Sequence, residues 1–560
     1  MVRAWAGVVC AAWILGFCFD ARAHPVFVSS SVVNAASYQP PEFASGAIAQ
    51  GSIFSVFGKA VGPLTAVQAT TFPLSPSLGG VTITVSRAGF PDIAVIPLFV
   101  SEAQVNAIMP SNAPIGPATL RIRFDDRDGN ANSVPVDVTI APSAVGLFTV
   151  NASGRGPAIA NNYVSAADQP LNSTERSARP GQVITLWATG LGAIAGADNL
   201  RPLDAGAVVD LSAQAGLEVF VGGAKATNVL YAGRSPEFAG LDQIVVEVPS
   251  DASEGCYAPL WFRVAGGVVS NVATLSIDAD GGRCDDPLAP HVGPAGADRI
   301  GLALLSRVLF EAGSVSDTQD TGAGSFEALN QRGWHFNPAF SLPPLGSCAV
   351  YTERDSAGGI RNVGPDLRFS SPLDAGQLIV RGPGGSRFLT TTPGTGLYET
   401  LFSSPQEHYL EPGGYTLEGK GTAAVGTFQA GAETPAPPAW TIQGGGSAVD
   451  RSAGLTVEWT PADAAADYVR ILLISSDAAN NNNNVTSTLF CTAPADAGRF
   501  TIHADYLANV PASAGSGVSS TAALFVGLAS LPARGAFAAE GLDAGFFTAF
   551  ALRGKPVTVR

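Results

Sequence analysis

Pro180-Gly181-Gln182-Val183-Ile184-Thr185-Leu186-Trp187-Ala188-Thr189-Gly190-Leu191-Gly192 decides the fold, because the chain contains the pattern twice. The earlier copy is Gly51-Ser52-Ile53-Phe54-Ser55-Val56-Phe57-Gly58-Lys59-Ala60-Val61-Gly62. Both open on a turn glycine, run as an apolar/polar strand and close on a second glycine. The segments downstream of the two copies repeat as well. Val81 to Val85 alternates with period two, and Leu217 to Val221 does the same before the hairpin turn Gly222-Gly223. Ile93 to Val100 matches Thr227 to Ala232, and Gln104 to Pro110 matches Gln243 to Pro249, closing proline included. Ala118 to Phe124 and Val134 to Ile140 complete the first set, Leu260 to Ala265 and Val272 to Ile277 the second. Short strands with frequent turns predict two tandem immunoglobulin-like β-sandwiches. The alternation assigns Ile53, Val56, Val183 and Leu186 to their cores.

These residues resemble an uncharacterised family of secreted proteins from soil acidobacteria of the Solibacter type, which carry paired TIG/IPT-like immunoglobulin-fold units. The resemblance rests on Val33-Asn34-Ala35-Ala36-Ser37, the Gly51 to Gly58 strand, Leu78-Gly79-Gly80-Val81, Pro97 to Ser101 and Gln104-Val105-Asn106. It continues through Ala188 to Gly192 and Phe238-Ala239-Gly240-Leu241, and so covers residues 28 to 278. It implies a fold and export, and brings no activity or catalytic residue with it. In that family the pair usually ends the chain, whereas here a further long region comes after it.

The 560 residues are too many for one core. Only 14% are charged, against about 25% in ordinary globular proteins, while 46% are hydrophobic, with 64 glycines and 40 prolines. Many short strands joined by Gly/Pro turns give such a profile, and a disordered chain does not. The net charge of -15 is diffuse, and no basic stripe offsets it, which argues against nucleic acid as a partner.

The first 23 residues read as a signal peptide: Arg3, an apolar run from Ala4 to Phe19, then Ala21-Arg22-Ala23 for cleavage before His24. No later segment is long and apolar enough to cross a bilayer, so no transmembrane segment is expected in the mature chain. Cys10 and Cys18 leave with the signal, and Cys256, Cys284, Cys348 and Cys491 remain. An even number in an oxidising compartment predicts two disulfides, with three pairings open. Cys256 with Cys284 is the local choice, and Cys348–Cys491 would then clamp the two C-terminal parts.

The expected organisation is a signal at 1–23, TIG/Ig-like units at 24–145 and 146–280, a linker at 281–296, and β-sandwich units at 297–433 and 438–560. In the C-terminal region, strands are expected at Ile300 to Val308, Gln377 to Arg381, Tyr415 to Glu418 and Gly426 to Ala430. After the stiff Glu433 to Pro438 break they resume at Leu455 to Trp459, Tyr468 to Ile474, Thr488 to Cys491, Phe500 to His503 and Ala523 to Gly527. Asn480 to Asn484 reads as a polar loop tip.

Chemistry is sparse. No cofactor is expected. Calcium is a candidate at Asp126-Arg127-Asp128-Gly129-Asn130, but the loop lacks the glycine and glutamate of a calcium hand, and a hairpin turn is the favoured reading. Asp278, Asp280, Asp285 and Asp286 are a second acidic candidate, better read as a solvated linker. No Gly-x-Ser-x-Gly elbow occurs, Ser386 sits in a glycine-rich turn, and His24, His291, His335, His408 and His503 are isolated. Glu399, Glu407, Glu411 and Glu418 lie near Tyr398, Tyr409 and Tyr415, where a sugar cleft is conceivable. Trp334, Trp440 and Trp261 are candidate ligand-contact aromatics, with plugging of a sandwich end as the simpler role. Trp261 beside Phe262 breaks the alternation, so one of the two should point outward.

These features predict an exported, all-β, non-enzymatic protein, secreted to the outside, the bacterial cell surface or the periplasm, that binds protein or polysaccharide through its sandwich modules. The alternatives are a secreted hydrolase with its site in 297–560 and a structural envelope component without a discrete ligand.

Overall fold

The computed structural model describes residues 24–126, 129–204, 206, 208–284, 299–329, 342–354, 370–403, 407–460, 466–477 and 485–560. Residues 1–23, where a signal is expected, Arg127, Asp128, Asp285, Asp286, His291, Trp334, His335 and the Asn480 to Asn484 run lie outside them. The described residues are almost wholly β, in tandem sandwiches.

In the first sandwich Val81, Ile83 and Val85 are buried while Thr82, Thr84 and Ser86 are half-buried, the period-two pattern of a strand with one face on a core. The Ile93–Val100 strand serves both faces. Its first residues pair with Val81–Ser86 and its last with Gln104–Ile108, with a register shift between Pro97 and Phe99. Pro97 has no N–H to give the ladder, so the irregularity falls beside it. Phe54, Val56, Val95, Val105, Leu120 and Ile122 fill the interior.

The second sandwich retraces the first. Val183–Thr189 pairs antiparallel with Asp242–Glu247, as Ile53–Phe57 pairs with Gln104–Ile108. Its facing sheet holds Glu218–Val221, Gly255–Val264 and Ala273–Ile277. Ile184, Leu186, Ile244 and Val246 meet Val219, Val221, Leu260 and Phe262 between the sheets. Two of the expected core positions are out of phase. Val56 and Leu186 are core, but Ile53 and Val183 are half-buried on the opposite face, and Ile53 packs beside Ala239 of the second sandwich.

The C-terminal half is organised on one twelve-stranded sheet, which runs from Cys348–Arg354 through Val485–Pro494, Tyr468–Ser476, Ala522–Ala529, Ala544–Val559, Arg299–Ala312 and Val315–Leu329 to Leu397–Leu401. Two small sheets cover it. Gly385–Leu389, Leu378–Gly382, Gly413–Gly419 and Phe428–Thr434 build one, and Trp440–Ile442, Leu455–Trp459 and Arg499–Ile502 the other. Ala544–Val559 links the two cores, giving Phe547 and Ala549 to one and Val557 and Val559 to the other. Strands from both sides of the Glu433 to Pro438 break therefore share a sheet, and Ala544–Val559 pairs in parallel with Arg299–Ala312. Both disulfides are formed, Cys256–Cys284 and Cys348–Cys491. Cys348 and Cys491 stand directly opposite on neighbouring strands.

Candidate functional site

Buried polar side chains collect where one body meets the next. At the first joint the Arg234 guanidinium pairs with the Asp242 carboxylate, and Arg234 Nη2 donates to the Gly192 carbonyl at 2.7 Å. The second Asp242 oxygen accepts from the Leu191 N–H at 2.8 Å. Burial pushes the Asp242 carboxyl up, against the pull of Arg234 and the N–H groups of Leu191 and Gly190. Across the joint, the Ile53 N–H donates to Thr189 Oγ1 at 2.8 Å, Asn34 Nδ2 to the Thr189 carbonyl at 3.4 Å, and Ser111 Oγ to Asp198 at 2.8 Å. The two copies of the repeated stretch thus meet here, the start of one against the closing glycines of the other.

The second joint lies between the second sandwich and the C-terminal half. The Phe220 and Trp261 rings stack at 4.9 Å, and Tyr506 closes on Trp261 at 4.8 Å. Asp505 accepts from Trp261 Nε1 at 3.3 Å and from Arg263 Nη1 at 3.2 Å. Arg263 Nε also donates to Glu218 at 2.5 Å, and Glu218 pairs with Lys225. Asn509 Nδ2 donates to the Ser270 carbonyl at 2.9 Å. Phe220, Trp261, Val269 and Val272 of the second sandwich belong to the same apolar cluster as Tyr506, Leu507 and Val510. Burial pushes the Tyr506 hydroxyl up.

A cleft of about 330 Å³ opens at this joint, with Phe220, Trp261 and Tyr506 among its lining residues. The turns Gly222-Gly223 and Asp251 to Ser253 form one wall, and Ser347, Thr501 and His503 the other. His503 Nδ1 accepts the Asp505 N–H at 3.2 Å.

The other sequence candidates fall elsewhere. Trp261 is 2% exposed and its ring is enclosed by Phe220 and Tyr506. Trp440 is 6% exposed, donates Nε1–H to the Arg553 carbonyl at 2.7 Å and carries the Lys555 ammonium 4.7 Å above its ring. Neither ring presents an open face, because each lies under a neighbouring sheet or joint. Tyr398, Tyr409 and Tyr415 are core, and burial pushes the Tyr409 hydroxyl up to about 12. The carboxylates beside them are taken up in ion pairs, Glu407 with Arg387 at 2.6 Å, Glu411 with Arg307 at 3.1 Å and Glu418 with Arg381 at 3.1 Å. Ser386 Oγ accepts from Arg381 at 2.7 Å. Asp278 accepts from the Asp280 N–H, a local turn. Asp126 and Gly129 pair across an antiparallel ladder on either side of Arg127 and Asp128. Among the described residues no group of three or more His, Cys, Asp or Glu is placed to hold a metal ion. Nor is any helix there long and apolar enough to cross a membrane.

Sequence reasoning missed Asp505, Arg263, Arg234 and Asp242. The available signal was charge inside apolar strand patterns: Arg263 comes directly after Trp261-Phe262, and Arg234 and Asp242 flank the Phe238 to Leu241 motif.

No protein-family model matches the chain, and no curated protein sequence matches it. Among solved structures, a tetra-tandem repeat from the extending region of a large adhesion protein aligns over 91% of this chain and 97% of its own, at 14% identity and a TM-score of 0.14. The FN1–FN3 domains of chicken CNTN1 align over 66% of this chain and 94% of their own, at 8% identity and a TM-score of 0.12. The N-terminal eight Ig domains of DSCAM align over 90% and 56%, at 8% identity and a TM-score of 0.14. TM-scores of this size establish no common arrangement of domains.

Proposed function

We propose that this protein is an exported, non-enzymatic arm, extracellular or held at the cell surface, that carries binding surfaces for a protein or glycan partner. The observation that carries the reading is the pair of joints. Hydrogen bonds and an apolar cluster at the first joint, and the Arg263–Asp505 ion pair and a shared apolar cluster at the second, lock each body to the next, where a flexible string of domains would have mobile polar linkers. A stiff chain of sandwiches holds its loops at a fixed spacing, which suits presentation and adhesion better than turnover. Two disulfides suit an oxidising compartment. The resemblance to secreted proteins with paired TIG/IPT-like units supports the same location. On this reading 24–145 and 146–280 are the paired units, and 297–433 and 438–560 act together on their shared sheet.

Expression from the complete chain in a bacterial host tests it. The expected product starts at His24, lies outside the cytoplasm and carries no free thiol. A cytoplasmic product that keeps Met1, or reproducible turnover of an ester, peptide or glycoside by the purified mature chain, overturns it.

A further inference from the structure

We propose that this protein is built to bear tension between its two ends, a proposal that rests on the arm reading above. The observation is where its parallel strand pairs fall. Among the described residues every parallel pairing is made by the last strand of the first sandwich, of the second sandwich or of the C-terminal half. The partner lies near the point where the chain enters. In the first sandwich Ile48 and Ala49 stand opposite Ile140 and Ala141, and the Gln50 N–H donates to the Ala141 carbonyl at 2.9 Å. In the second, Gly156 and Pro157 stand opposite Ala273 and Thr274, and Ala178 bridges in parallel to Ile277. In the C-terminal half Arg299–Ala312 runs beside Ala544–Val559, from the Ile300–Ala544 pair to the Phe310–Gly554 pair. The 438–560 unit adds an entry pair of its own, Ala448 and Val449 opposite Thr558 and Val559.

Parallel pairing of entry and exit fixes how a pull on the chain ends is felt. The entering strand is drawn toward its start and the last strand toward its end. Two parallel neighbours loaded in this way slide along each other, and the hydrogen bonds of the ladder take the load together. An antiparallel entry and exit would place both loaded ends side by side, and the bonds would open one at a time. Each bond is modest by itself, so the number loaded at once sets the barrier. Forced unfolding follows the rate over that barrier.

The lengths of the ladders rank the bodies. The first sandwich closes entry to exit over Ile48 and Ala49, whereas the C-terminal half does so without a break from Ile300 to Phe310. Arg299–Ala312 and Ala544–Val559 are direct neighbours in the sheet, so a pull crosses that one long ladder. Behind it Cys348–Cys491 closes a loop of 143 residues that tension cannot extend. The half therefore gives way last, and by a step that the disulfide shortens by roughly 500 Å of chain.

The test is single-molecule pulling of residues 24–560 in three geometries. Handles at the two ends load every entry–exit ladder in shear. A handle on Ser314→Cys, in the exposed turn after Arg299–Ala312, with one at the C-terminus, peels the long ladder from the end where both strands finish. A handle at the N-terminus with one on Glu540→Cys, exposed just before Ala544–Val559, peels it from the other end. A step that lengthens by roughly 500 Å under a dithiol reductant marks the C-terminal half in each trace. The expected result is that end-to-end pulling breaks this half at a force at least about twofold above both peeling geometries, and after both sandwiches. If one cysteine variant misfolds, the other still decides. Equal forces in the three geometries, or loss of the half before the sandwiches in end-to-end pulling, overturns the proposal. Location and turnover test the arm reading, so the two fail separately.

Discussion

Arg234 and Asp242 form an ion pair with side chains 1% and 0% exposed, on the second sandwich and against the first. Taking both charges out of water costs several kcal/mol, and their attraction repays it only with good geometry and further hydrogen bonds. Gly192 and Leu191 supply those bonds. Asp242→Ala leaves the guanidinium buried alone and is expected to destabilise by about 3–5 kcal/mol. The double replacement Arg234→Met with Asp242→Leu is expected to cost far less, while loosening the angle between the sandwiches. Chemical denaturation and small-angle scattering of residues 24–560 read the two effects separately.

Gly51 is the counterpart of that pair on the first sandwich. Its φ is +70°, and a Cβ there would lie 2.0 Å from Arg234 Nη2 and 2.9 Å from the Gly192 oxygen. Gly51→Ala combines left-handed strain with a clash and is expected to cost more than the 1–3 kcal/mol of backbone strain alone, roughly. Gly89, at φ +83° with nothing within 4 Å of its Cβ position, supplies the control. Gly89→Ala carries only the strain, so the difference in denaturation midpoint measures the close approach.

The sandwich pair was legible because its strands alternate and its turns recur. Val81, Ile83 and Val85 face one core, and the Val183–Thr189 copy takes the same partner as the first. The C-terminal half hid its long strands. Val315–Leu329 is rich in Ser, Thr, Asp and Gly and is held by its ladders with Arg299–Ala312 and Leu397–Leu401, with Phe326 in the core but no period-two apolar face to reveal it. Ala544–Val559 is buried on both sides over much of its length, so it shows no alternation. The joints were harder still. Arg263 and Asp505 are far apart in sequence, and only the packing of two bodies brings them together.

Glu218 gives the second joint a pH dependence. Hydrogen bonds from Arg263 and then Lys225 pull its carboxyl from the ordinary 4.5 down to about 2. The unfolded chain takes up that proton first as pH falls, so the stabilisation is complete above about 4.5 and is lost on the way down to about 2. Glu218 is partly exposed, and screening leaves on the order of 1 kcal/mol. Denaturation midpoints between those pH values should fall for the natural chain and fall less steeply for Glu218→Gln. Equal slopes remove Glu218 from the account.

The two disulfides differ in the chain they close. Cys256–Cys284 spans 28 residues and Cys348–Cys491 spans 143. Loop-closure entropy alone gives about 3.5 and about 5 kcal/mol. Among the described residues Cys348–Arg354 is also an edge strand of the large sheet, paired on one side by Val485–Pro494. Replacing Cys348 and Cys491 by alanine should therefore lower stability more than replacing Cys256 and Cys284. Parallel thermal melts compare the variants, and a larger loss for the shorter loop would show that the longer clamp is redundant with the ladder.

Trp261 is where the fold and the proposed role meet. Period two puts neighbouring residues on opposite faces, and Phe262 takes the inner one, at 0% exposure in the core of the second sandwich. Trp261 therefore faces outward from its own sandwich, yet it is 2% exposed because Tyr506 and Asp505 of the C-terminal half cover it. An open binding platform would make Trp261→Ala neutral for stability. A ring buried between bodies makes it cost about 3–5 kcal/mol. The loss should fall on the coupling between the bodies, so that a calorimetric trace with one joint transition splits into two, one for each side of the joint. Trp261→Phe keeps part of the stack on Phe220 but loses the hydrogen bond to Asp505, and is expected to fall between. A single unsplit transition in Trp261→Ala at the natural temperature would mean that Arg263, Asn509 and the apolar contacts of Val269 and Val272 hold the joint without it.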